Sequence, residues 1–204
     1  MGTRMLKPGE TLRKLRAARG LTLDEVSGKT GLAASTLSKI ENNKMSLTFD
    51  KLQRISNGLN IDISELFKNG APEPGGTEGP RGRRSVTRAG EGELIESQNY
   101  LHRYAATDLL KKQFVPIIAD VMARSIEDFG EMVNHPGEEY SLVLEGEIEL
   151  HTKYYAPLRL GVGDSVYFDS GMDHAYIAVG EGRCRMLCIC TPSDHPGLVD
   201  MASP

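Results

Sequence analysis

Nowhere in the 204 residues is there a run of 18 apolar side chains, so no transmembrane helix is expected. The opening Met1-Gly2-Thr3-Arg4-Met5-Leu6-Lys7-Pro8 is too short and too polar for a secretory signal. Cysteine is scarce: Cys184, Cys188 and Cys190 are the only three, an odd number crowded into one segment. A disulfide framework is therefore not expected, and a reducing, cytoplasmic setting is. There is no internal repeat.

What is present suits one or two compact domains, with 39% hydrophobic residues. The net charge of −4 conceals an asymmetry. Residues 1–70 carry 12 Lys and Arg against 7 Asp and Glu, and residues 91–204 carry 8 against 19. A basic front on an acidic rear fits either a polyanion-binding module joined to something else or two soluble domains of unlike charge. All five histidines lie in the rear segment.

Periodicity divides the chain into residues 1–68, 69–92 and 93–204. The first part reads as five short helices. Leu12, Leu15 and Arg16 begin one that ends near Gly20. Thr22-Leu23-Asp24-Glu25 has the form of a capping box, and Gly31 suits a positive-φ helix end. A third helix runs from about Ala33 to Asn42, burying Leu37 and Ile40. A fourth begins near Thr48 with Leu52, Ile55 and Leu59 on one face, and Asp62 caps a last turn holding Leu66 and Phe67. Residues 69–92, rich in Gly and Pro, read as a flexible linker ending in the basic cluster Arg81-Gly82-Arg83-Arg84. That cluster is either a solvated tract or a mobile arm for phosphates or the minor groove. From Glu93 on, short β-prone runs separated by Gly, Pro and Asp indicate an antiparallel barrel or sandwich.

The segment from Leu12 to Leu66 resembles the phage-repressor-like helix-turn-helix family, called XRE or Cro/cI. The resemblance is carried by residues 12–16, by Gly20-Leu21-Thr22-Leu23-Asp24-Glu25-Val26, by Gly31-Leu32, by Ser35-Thr36-Leu37-Ser38-Lys39-Ile40-Glu41-Asn42, and by residues 52–66. It implies a lambda-repressor-like five-helix domain whose third helix enters the major groove of double-stranded DNA. Ala34, Ser35 and Lys39 are then the candidates for base edges. Thr22, Thr36, Ser38, Asn42, Asn43 and Lys44 are candidates for phosphates. Arg16 and Glu41 stand where the family often has a structural ion pair.

The rear domain resembles the cupin family through His135-Pro136-Gly137-Glu138-Glu139 with Gly146, and Gly163-Asp164 with Gly171-Met172-Asp173-His174. The resemblance implies an all-β jelly-roll barrel, making the whole an α + β two-domain chain. Cupins commonly hold a metal with three histidines and a glutamate. Here the matching positions are Val133, His135, Glu139 and His174, and Val133 cannot ligate. The remaining set has the composition of a two-histidine, one-carboxylate facial triad. Three readings stand: a divalent ion (Zn, Fe, Ni or Mn) on His135, Glu139 and His174; a metal-free barrel binding an organic effector; or three residues that satisfy one another. His102, His151 and His195 are expected on surfaces or loops. The cysteines are expected to pack as small hydrophobes, with redox or metal sensing as the alternative.

The combination resembles bacterial helix-turn-helix plus cupin regulators, which generally dimerise and read palindromic operators under control of a small-molecule effector. The same layout is shared by a few iron-dependent phosphonate-modifying oxidases. On that alternative Tyr100, Tyr104, Lys111 and Lys112 would orient an anionic substrate.

Overall fold

The structure is a computed structural model and describes residues 8–67 and 82–191. The expected linker residues 69–81, including Arg81, and His195 lie outside the described residues. Two compact units are formed, Met1–Ser97 with Arg103–Lys111, and Gln98–His102 with Lys112–Pro204. Among the described residues no helix is long and apolar enough to cross a membrane.

The first unit contains helices α1 (Pro8–Ala18), α2 (Leu23–Thr30), α3 (Ala34–Glu41) and α4 (Phe49–Leu59), then a 3-10 turn over Ile63–Phe67. The expected fifth helix is thus a single tight turn. Asp62 starts it by accepting from the Ser64 backbone N–H at 2.8 Å. At the head of α2, Thr22 and Glu25 close the capping box in both directions. Gly31 ends α2 at φ 67°, a left-handed conformation that glycine adopts without steric cost and that turns the chain into α3. Leu12, Leu37, Leu52, Ile55 and Leu66 are fully buried, so four helical elements share one core.

That core also holds one ion pair. Arg16 Nε and Nη2 donate to the two Glu41 oxygens at 2.6 and 2.9 Å, and Nη1 donates to the Leu21 carbonyl at 2.8 Å. The Glu41 side chain is 4% exposed and that of Arg16 18%. The pair ties the end of α1 to the end of α3 and holds the carboxylate where water scarcely reaches.

Residues 82–92 are anchored by hydrogen bonds. Arg83 donates to the carbonyls of Leu110 and Lys111, and Ser85 donates to Asp108. The Arg83 guanidinium is therefore committed to backbone acceptors instead of standing free as part of a basic arm.

The strands are β1 (Glu93–Glu96), β2 (Tyr100–Tyr104), β3 (Val115–Val121), β4 (Glu138–Glu145), β5 (Glu147–Thr152), β6 (Leu158–Leu160), β7 (Ser165–Asp169), β8 (His174–Val179) and β9 (Cys184–Cys190), with a short helix α5 (Ile126–Phe129) after β3. They form a six-stranded sheet, β1-β2-β3-β9-β4-β7, and a three-stranded sheet, β6-β5-β8. Antiparallel register fixes which side chains share a row. Val115, Cys190, Glu139 and Phe168 lie side by side across β3, β9, β4 and β7. Glu139 and Cys190 are buried, as are Ile117, Cys188 and Ser141 in the next inward row. One residue along, the side chains point outward. Pro116, Ile189, Tyr140 and Tyr167 make one outer row, and Ile118, Leu187, Leu142 and Ser165 another. The inner face of this sheet is thus polar in one place, while its outer face is largely apolar.

Arg16→Ala should leave the Glu41 carboxylate enclosed without its partner and lower unfolding stability by about 3–5 kcal/mol. Urea unfolding measures this, and the double replacement Arg16→Met with Glu41→Leu should recover most of the loss. A cost below about 1 kcal/mol for Arg16→Ala would show the pair to be a solvated surface contact.

Candidate nucleic-acid interface and metal centre

Helix α3 buries Leu37, Ile40 and Glu41 on one side. The opposite side carries Ser35 and Lys39, both exposed, with Ala34, Thr36 and Ser38 half-buried between the two faces. Ser35, Lys39 and Asn42 follow at helical spacing, so they form one outward stripe. Asn42, Asn43 and Lys44 are exposed at the end of the helix. Asn42 uses its amide to donate to the Ser38 carbonyl at 2.8 Å, and Asn43 turns the chain at φ 53°. Thr22 stands apart from this stripe, at the start of α2. Its hydroxyl is engaged with Glu25, accepting from the backbone at 3.2 Å and donating to the carboxylate at 2.8 Å. Its first role is to position α2.

In the second unit His135, Glu139 and His174 come together. His135 precedes β4, and its N–H donates to the Ser170 carbonyl at 2.9 Å. Gly137, at φ 102°, turns the chain towards Glu139. A side chain there would run into Thr191, 2.5 Å from the Cβ position. Val133 and His174 exchange both backbone hydrogen bonds, which fixes the start of β8 beside this turn.

The side chains converge on one oxygen. Glu139 Oε2 lies 3.1 Å from His135 Nε2, 3.9 Å from His174 Nε2 and 3.6 Å from Cys190 Sγ. The other oxygen, Oε1, accepts from the Tyr176 hydroxyl at 2.7 Å and the Ser141 hydroxyl at 2.8 Å. The His174 ring lies edge-on to His135 and to Phe168, at 5.3 and 5.0 Å between centroids. His135, Glu139 and His174 are each 3% exposed.

Burial alone would raise the Glu139 pKa. The His135 hydrogen bond, the positive fields of His174 and His135 and the Tyr176 hydroxyl outweigh it and bring the carboxyl down to about 2. Burial pushes His174 below the ordinary histidine value, against the pull of Glu139 and the Met172 carbonyl. Glu139 is therefore held as an anion, despite its burial, by the His135 and Tyr176 hydrogen bonds and by the neighbouring histidines. An enclosed carboxylate so placed favours a cation beside it.

The donor chemistry fits a divalent ion. His174 Nδ1 lies 2.8 Å from the Met172 carbonyl, an arrangement that assigns the proton to Nδ1 and leaves the Nε2 lone pair turned towards Glu139. Histidine ligands are commonly oriented in this way. Tyr176 and Ser141 hold the carboxylate from behind, leaving Oε2 forward.

Other expectations meet different outcomes. His102 lies on β2, stacked on Tyr100 at 4.9 Å, and not on a surface loop. Burial lowers its pKa to about 4, and it feels the charges of Glu139 and His135. The spacing of the cupin motifs gave no sign of it, because β2 precedes both motifs. His151 is paired with Glu149 at 2.7 Å, away from the centre. The four residues suggested for an anionic substrate are divided between the two units. Tyr104 is fully buried against Phe67 in the helical unit, whereas Lys111 is exposed there and donates its backbone N–H to Asp62. Only Tyr100 and Lys112 belong to the barrel unit, and the Tyr100 hydroxyl accepts from the Tyr176 backbone at 3.0 Å. Tyr176 and Ser141 were legible in principle: each lies two residues beyond a motif residue on the same strand face.

Comparison with known proteins gives a consistent picture. Residues 12–66 match the helix-turn-helix family and residues 127–190 match the cupin domain family. The chain is 28% identical over 190 residues to the HTH-type transcriptional regulator PuuR of Escherichia coli (strain K12), covering 92% of this chain and 96% of that protein. A helix-turn-helix family transcriptional regulator from Vibrio cholerae has the same fold, with TM-score 0.58 and 23% identity over 91% of this chain and 96% of that one. The hydroxypropylphosphonic acid epoxidase from S. wedmorenis aligns with TM-score 0.49 and 22% identity over 93% of this chain and all of that one.

Acid should destabilise the protein with a definite sign. The folded-state values of His102, His174 and Glu139 all lie below their ordinary ones. Below about pH 6.5 the unfolded chain binds protons at the histidines that the folded chain refuses, so stability falls as pH drops towards 4. The Glu139 contribution is present above its unfolded value of 4.5 and is lost as pH falls towards 2. Urea midpoints should therefore decline from pH 7 to pH 4, and His102→Asn should flatten the upper part of the decline. A midpoint independent of pH over that range would contradict the assignment.

Proposed function

We propose that this chain, whose residues 12–66 match the helix-turn-helix family and whose residues 127–190 match the cupin domain family, is a sequence-specific, dimeric DNA-binding regulator whose barrel senses a metal ion or small metabolite. The observation that carries this reading is the exposed Ser35–Lys39–Asn42 stripe of α3, backed by a helix face buried through Leu37, Ile40 and Glu41. A helix whose outer face is short and polar can lie deep in the major groove. The excess of basic residues in residues 1–70 attracts the phosphates.

In this reading Ala34, Ser35 and Lys39 meet base edges. Lys39 suits guanine acceptors and Ala34 a thymine methyl. Thr36, Ser38, Asn42, Asn43, Lys44 and Thr22 meet the backbone, which sets register and carries no sequence information. The operator is palindromic because the regulator is a homodimer. Support for the dimer comes from the outer sheet face, where Tyr140 is 36%, Leu144 41% and Tyr167 60% exposed beside Ile189 and Leu187. An apolar sheet face of this kind suits a partner surface. The protein works in the cytoplasm, where its DNA is.

His135, Glu139 and His174 would hold the ion, whether zinc, iron, nickel or manganese. When bound it supplies positive charge to the enclosed carboxylate. Tyr176 and Ser141 hold that carboxylate in place, and the Met172 carbonyl keeps His174 in the ligating tautomer. An effector regulates only if it binds the DNA-competent and incompetent states with different affinity. The reading is non-enzymatic.

Selection of bound fragments from random genomic DNA, at two salt concentrations and with metal assayed on the same sample, tests the proposal. An inverted repeat that survives the higher salt is expected. Lys39→Ala should then weaken that site by about 1–3 kcal/mol while leaving non-specific binding nearly unchanged. No enriched sequence, together with binding abolished by salt, would sink the regulator; iron bound in such a sample would point to oxidase chemistry instead.

A further inference from the structure

Cys190 stands where the barrel's donor set is one ligand short. We propose that the Cys190 sulfur is a ligand of the barrel ion, so that the centre is a mixed nitrogen, oxygen and sulfur site built on His135, Glu139 and Cys190 with His174 beside them. The inference deepens the metal reading above and rests on it. Its basis is register and distance. Cys190 is the direct cross-strand partner of Glu139, both side chains facing the interior. The donor atoms of His135, Glu139 and Cys190 all lie within 4.8 Å of one another. Cys190 is 1% exposed, with Sγ 3.6 Å from Glu139 Oε2.

The other two cysteines are placed differently. Cys184 turns its sulfur to the Glu147 carbonyl at 3.0 Å, and Cys188 lies one inward row away, opposite Ser141. Val133, at the position where the cupin pattern carries a further histidine, offers no donor. A cysteine reaching the same carboxylate from β9 supplies the missing ligand from a different strand. On binding, the thiol proton leaves to solvent as sulfur bonds to the ion, the His135 proton that faced Glu139 passes from Nε2 to Nδ1 or to solvent so that the imidazole can ligate, and no electron is transferred. The chemical consequence is selectivity. Thiolate with imidazole favours zinc, cobalt and nickel over the oxygen-seeking magnesium, calcium and manganese.

Cobalt(II) is the probe. The full-length protein is stripped with chelator and titrated with cobalt(II), recording the near-ultraviolet thiolate-to-cobalt charge-transfer absorption and the visible ligand-field bands. The expected result is both signals at one ion per chain. Cys190→Ser should abolish the charge-transfer signal and weaken cobalt binding at least about tenfold, whereas Cys184→Ser and Cys188→Ser keep it. Circular dichroism reports whether each variant is folded. Cobalt bound by the unmodified protein with ligand-field bands but no charge-transfer band overturns the sulfur ligand and leaves the metal reading standing. A charge-transfer band that survives in folded Cys190→Ser overturns the assignment to this cysteine. No cobalt binding at all removes the metal reading and the inference with it.

Discussion

A carboxylate enclosed in a β-barrel is the constraint around which the rear half of the molecule is organised. Glu139 is 3% exposed and still held as an anion. A charge so placed must be met by hydrogen-bond donors or by a cation. Two hydroxyls, Tyr176 and Ser141, take one oxygen; two imidazoles and a thiol surround the other. These five groups come from four places in the chain: the turn before β4, β4 itself, β8, which supplies both His174 and Tyr176, and β9. The sheet register must therefore be correct over some fifty residues before the charge is satisfied. A one-residue slip of β9 against β4 would replace Cys190 by an outward-facing neighbour.

The helical unit solves a similar problem at smaller scale. Glu41 is also enclosed, and Arg16 meets both its oxygens. Here the result is positional: α1 and α3 are tied together, and the polar stripe of α3 is held outward. The ion pair with Leu37 and Ile40 gives α3 a rigid reverse side behind that exposed stripe. The same physical device, a buried carboxylate with dedicated partners, thus fixes a helix in one unit and furnishes a centre in the other.

Much of this was legible in the sequence. Helix starts and stops were written locally, in Thr22 with Glu25, in Gly31 and in Asp62, because caps involve residues only a few positions apart. His135, Glu139 and His174 were grouped through the resemblance to the cupin motifs, and the fold brings them together around one carboxylate. What could not be read were the contacts that depend on strand pairing. Cys190 looked like core packing because only the β4–β9 register places it opposite Glu139. His102 looked like a surface residue because its strand lies before either motif. Of the four residues grouped for an anionic substrate, Tyr104 and Lys111 are counted with the helical unit, a division the sequence did not reveal. Arg83 looked free until its carbonyl partners, 27 and 28 residues on, were known.

The proposed regulation requires that the barrel and helix α3 be thermodynamically linked, and linkage is reciprocal. The decisive measurement is operator affinity, by fluorescence anisotropy on the full-length protein, with the barrel ion saturated and with it removed by chelation. A shift of about 5- to 150-fold is expected, matched by an equal shift in ion affinity when operator is present. Identical operator affinity in the two states, with the ion demonstrably bound in one, would contradict it.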